Sequence, residues 1–240
     1  MVCFSRKDLE CIAGKVVAAY MRSVTVREED VYQVEPEYVA ERLFHLSVER
    51  FHLSRNGSIL GMTAPTEFGV EVFNENMESC FYFLDGNTIL IEQDLISENV
   101  PIGRYNYTVM HEVAHQILFH LNIRILPKTV LRQYPSQEWD WGEWQADTLA
   151  SAMLMPESLV RKVMAYVRLP HRIHLLDSLL RPEEYRKFCD AAAILGVSKT
   201  ALSVRLKQLG LLEHNDLFRP GRIMDVVGED DDTWRSRHAS

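Results

Sequence analysis

Between Tyr107 and Leu121 the chain reads YTVMHEVAHQILFHL, the stretch around which the rest of the sequence arranges itself. Ala114, Ile117, Leu118 and Leu121 recur at helical spacing, so the segment is predicted as one amphipathic helix. On such a helix His111 and His115 lie four residues apart, about 40° apart around the axis, and both imidazoles can ligate one ion. Neutral imidazole suits zinc. Glu112 lies one residue round from His111, too far to be the natural third ligand but within reach of a water at the ion, so it is the candidate general base. A chance HExxH is expected about 0.03 times in a chain with this His and Glu content. The competing reading is a helix with two boundary histidines and no ion.

The third ligand sets the subclass. A metzincin needs glycine at position 118 and histidine at 121, where this chain has Leu118 and Leu121. His120 falls about 180° round the helix from His111 and cannot join the same ion. Glu143, at the head of EWQADTLASAMLMPE and 28 residues after His115, is the best remaining candidate. Asp147 shares its face four residues on, where it can accept the N–H of a ligating histidine. Acids favoured by a helix N-terminus are the plainer explanation of this pair; the upstream HExxH weighs against it.

RYNYTVMHEVAHQIL and EWQADTLASAMLMPE together resemble the ImmA/IrrE family of bacterial and phage metallopeptidases, whose patterns run T-x-x-HExxH and ExxA[DN]xFAxxLLMP. Leu149 stands where the family often has Phe, and Met153 where it often has Leu; both stay apolar. The resemblance implies His111, His115 and Glu143 as ligands, Glu112 as the catalytic glutamate and, in a thermolysin-like (gluzincin) arrangement, Asp147 behind the ligands. It implies one zinc ion, although a His₂Glu site also accommodates manganese or iron. It further implies an endopeptidase whose substrate is a helix-turn-helix (XRE-type) repressor, cut to derepress mobile-element or stress genes. The alternative is a metal-containing anti-repressor that acts by binding, without proteolysis. No motif selects the oxyanion-stabilising group among Tyr107, His120, Tyr134, His171 and His174.

Composition sets the outer bounds. The chain has 240 residues, a formal charge of −8 and four scattered cysteines without a CxxC pair. This pattern predicts a cytoplasmic protein without a disulfide framework, and the sequence shows no targeting segment or membrane span. The expected class is α+β: a small antiparallel sheet over about 57–95, packed on the HExxH helix (about 107–121) and a ligand helix (about 143–155). Helices are expected over residues 7–22 and from Pro36 to Phe51, with a hairpin turn at Asp85-Gly86-Asn87. These elements make up a peptidase domain over 1–170, followed by a polar tail, predicted disordered, over 221–240.

Residues 175–215 resemble a helix-turn-helix, with a GVSxxALxxRLxxLGL stretch that closes many ImmA/IrrE-like proteins. Read functionally, Lys199, Arg205 and Lys207 contact DNA. Read structurally, Leu202, Leu206 and Leu209 pack a helical hairpin on the core. The acidic chain favours the second reading.

Overall fold

The computed structural model describes residues 4–98, 100–121 and 138–215. Tyr134, most of the polar loop before Gly142, and the 221–240 tail lie outside them. The fold is α+β, and the chain begins with α1 (Arg6–Ser23), closed at its start by a capping box. The Ser5 hydroxyl accepts from the Asp8 amide at 3.3 Å and the Asp8 carboxylate accepts from the Ser5 amide at 2.9 Å.

The expected helix from Pro36 to Phe51 is broken. Helix α2 (Pro36–Tyr38) runs into a single π turn over Val39–Leu43, and His45 takes φ 56°. Strand β1 (Ser47–Phe51) follows and pairs in parallel with β5 (Thr88–Glu92), which pairs antiparallel with β2 (Gly61–Thr63). The order is β1-β5-β2, so the sheet is mixed and not antiparallel. The hairpin also differs from expectation. Strand β3 (Glu67–Phe73) pairs with β4 (Ser79–Asp85) around Asn74, whose side-chain oxygen accepts from the amides of Asn76 and Glu78 at 2.9 and 3.0 Å. Asp85-Gly86-Asn87 is a turn, but it carries the chain from the hairpin into the sheet.

Strand β5 is buried on both faces, and its alternating side chains divide the interior. Ile89 and Ile91 enter the main core with α1, α3 (Ile102–His120) and α4 (Glu138–Leu154). Leu90 points the other way, into a smaller cluster with Met62, Val70, Val72 and Leu84, under the inner face of the hairpin. The sheet is thus a middle layer between helices and hairpin.

After α5 (Glu157–Tyr166) comes β6 (Ile173–Leu176), then α6 (Pro182–Ile194), α7 (Lys199–Gln208) and β7 (Leu212–Asn215), which pairs in parallel with β6. Phe188, Leu202 and Leu206 join the main core. The α6–α7 turn rests on the start of α3: Asn106 Nδ2 donates to Gly196 O at 2.8 Å. A Cβ at Gly103 would come within 2.4 Å of Val197 backbone, so only glycine permits that approach. Among the described residues, no helix is long and apolar enough to cross a membrane.

Candidate metal centre

Helices α3 and α4 each start five residues before their expected counterparts. α3 is buried nearly all round: Val109, Met110, Val113, Ala114 and Leu118 lie in the core, as does Ala146 of the neighbouring α4. This pairing brings His111 and His115 against Glu143. The two Nε2 atoms lie 3.0 Å apart, and the Glu143 carboxylate oxygens stand 3.4 Å from His111 Nε2 and 3.7 Å from His115 Nε2. One donor atom from each residue falls within 4.8 Å of the others, close enough to hold a metal ion.

Two imidazole nitrogens and one carboxylate oxygen suit a divalent cation of borderline softness. The far side of His111 adds to the fit, because its Nδ1 lies 2.9 Å from Asp147 Oδ1. A carboxylate there fixes the tautomer and turns Nε2 toward the centre. In the metal-free chain, burial works to lower the His111 pKa. Hydrogen bonds to Asp147 and Glu143 outweigh it and push the imidazole up to about 10, so a cation entering here must displace a proton.

Glu112 is buried beside this cluster, and its Oε2 has no hydrogen-bond partner among the described residues. Burial pushes its carboxyl up to about 7; His111 opposes the rise and Glu143 adds to it. Strand β2 closes the other side. Gln116 Nε2 donates to Thr63 Oγ1 at 2.6 Å and to Ala64 O at 3.1 Å, which ties the strand to α3. A Cβ at Gly61 would lie 2.6 Å from Glu112 Oε1, so the backbone of β2 abuts the carboxylate. Nothing in the sequence signalled Gly61.

Of the oxyanion candidates, Tyr107 stands at the centre. Its ring stacks near His111 at 6.5 Å, and its hydroxyl, held protonated by burial and by Asp147, meets Asp147 Oδ1 at 3.3 Å. His120 instead turns back onto Gln116 O at 2.8 Å, and His171 is exposed. His174 pairs with Glu213 at 2.5 Å in a surface group shared with His214 and Arg172.

The structure separates the three candidate DNA-contacting residues. Lys199 and Lys207 are exposed, but Arg205 is fully buried. Its Nε donates to Met155 O at 2.8 Å, and its two terminal nitrogens grip the Glu10 carboxylate of α1. Buried completely and paired with Glu10, this guanidinium is out of reach of a phosphate at the surface.

A family model, Peptidase_M78, described as the IrrE N-terminal-like domain, matches residues 66–207. The match runs from the hairpin through α3 and α4 to the last turn of α7. Among curated proteins none matches the chain. With more than half of its residues covered, and with both candidate-site helices inside the match, the chain belongs to the Peptidase_M78 (IrrE N-terminal-like) family and is a metallopeptidase of the ImmA/IrrE type.

Proposed function

We propose that His111, His115 and Glu143 hold one zinc ion in a gluzincin-like site, that Glu112 is the general base, and that the protein is an endopeptidase. The convergence of the three donors within 4.8 Å, beside a buried carboxylate, carries this reading. The ion supplies positive charge that polarises the scissile carbonyl and makes water more acidic. Glu112 accepts the proton of the attacking water and delivers it to the departing amine nitrogen. Its burial beside the three donors places it where it can reach a water at the ion. Asp147 accepts the His111 Nδ1–H and holds the ring in register.

The substrate class follows family resemblance: a helix-turn-helix repressor of XRE type, whose cleavage derepresses mobile-element or stress genes from within the cytoplasm. Incubating the zinc-loaded protein with an XRE-type repressor should release two fragments. Glu112→Gln should retain one zinc per chain by elemental analysis and abolish cleavage. Derepression in cells that persists with Glu112→Gln would instead establish an anti-repressor that works by binding alone. Manganese or iron in place of zinc would show in the same elemental analysis.

A further inference from the structure

Next to the metal centre the described residues enclose a cavity of about 610 Å³. Its near wall is the outer side of the centre itself, because Tyr107 and Asp147 line it. Trp144 continues that wall along α4. The far wall is a flank of α7 beside its core face. Leu202, Arg205 and Leu206 turn inward, whereas Ala201, Val204 and Gln208 lie about 120° round the helix and border the space. Val204 is 41% exposed, and the small Ala201 leaves the cavity open.

Its chemistry is selective. The lining is mainly apolar, and Asp147, one of its two charged residues, is already committed to His111 and Tyr107. The other, Arg104, is exposed. Gln208 adds a neutral polar side chain to the rim of the space. The volume lies within the range of ligand pockets, about 300–1,000 Å³, and exceeds the needs of a single small side chain.

We propose that this cavity is the specificity subsite of the peptidase, taking a large apolar side chain next to the scissile bond. The proposal rests on the metal-site reading above, since the shared Tyr107–Asp147 wall is what makes the occupant a substrate residue. It also gives the C-terminal helix pair a role in the peptidase site, away from DNA.

The test uses zinc-loaded Glu112→Gln protein, so that binding is read without turnover. Two blocked peptides, acetyl-Gly-Leu-Leu-Gly-amide and acetyl-Gly-Ser-Ser-Gly-amide, are titrated against tryptophan emission, with Trp144→Phe identifying the signal from the cavity wall. The leucine peptide should bind about 10-fold tighter or better. Val204→Phe and Thr200→Phe, both at exposed positions of the lining, should each erase that preference at unchanged zinc content and melting temperature. Equal binding of the two peptides overturns the proposal, as does a preference that survives both filled-cavity variants. In wild-type protein, cleavage of a mixed peptide pool should favour a large apolar residue at one position, and Val204→Phe should lose that bias. A wild type that binds with the predicted preference yet cleaves no peptide keeps the cavity as an apolar binding site and refutes the peptidase reading on which its role as a subsite rests.

Discussion

At the scale of single residues, Glu112 is held in an energetically unfavourable place until a cation arrives. In the metal-free chain its carboxyl is raised from 4.5 to about 7, so the folded state binds more protons than the unfolded state between those values, and stability falls as pH rises through that window. Metal-free Glu112→Gln should therefore be more stable than metal-free wild type at pH 8, by about 2–3 kcal/mol, with the gap closing below pH 4.5. Urea denaturation at the two pH values checks this. Gly61 acts on the same carboxylate from across the sheet. In Gly61→Ala the new methyl meets Glu112 Oε1 at 2.6 Å and Thr108 Cγ2 at 2.8 Å, and the carboxylate must shift. The expected result is a fall in kcat of about 100-fold at unchanged zinc content. Asp147→Asn should weaken zinc affinity about 10–100-fold, read by competition with a chelator. His111, Glu112 and His115 are legible because one helical turn places them together. Gly61 is not, because its meaning comes from a strand that only the tertiary fold brings to α3.

Among the elements, α7 shows how an exposed-looking sequence becomes interior. Arg205 reads as a solvent-facing base until Glu10 and Met155 supply partners from α1 and the end of α4. The pair is asymmetric. Arg205 is fully buried, whereas the Glu10 side chain keeps 34% of its exposure. Glu10→Ala leaves a guanidinium stranded in the core and should cost about 3–5 kcal/mol. Arg205→Leu leaves a carboxylate that water can reach, and should cost less; chemical denaturation of both variants orders them. The same reasoning explains the strands. Leu43, Leu46 and Phe51 fit a helical spacing, but the segment pairs with β5 because Val48 and its neighbours complete a parallel ladder. Asp85-Gly86-Asn87 carried true turn chemistry, with Asp85 Oδ1 accepting from the Asn87 amide at 2.8 Å. A turn signal says that the chain bends; it does not say which strands then pair.

Over the whole molecule, the α+β class, the two helices of the centre and the helical C-terminal segment could be read from periodicity and motif spacing. The mixed sheet and the layering of hairpin on sheet could not, since both depend on contacts distant in sequence. Because the three donors come from α3 and α4, a bound ion clamps two core helices together. Its removal by a chelator should lower the melting temperature, and zinc at about 1,000 times its dissociation constant should restore about 4 kcal/mol. Glu10 and Arg205, 195 positions apart, meet beside these helices. This contact bears on when the fold is completed. During synthesis the ribosome delivers α3 and α4 before α7 exists, so the nascent chain carries every proposed metal-binding group without the element that secures α1 from behind. Pairings this remote form late. A proteolytic centre thus gains its final brace, and the far wall of its adjoining cavity, only when translation has passed Gln208.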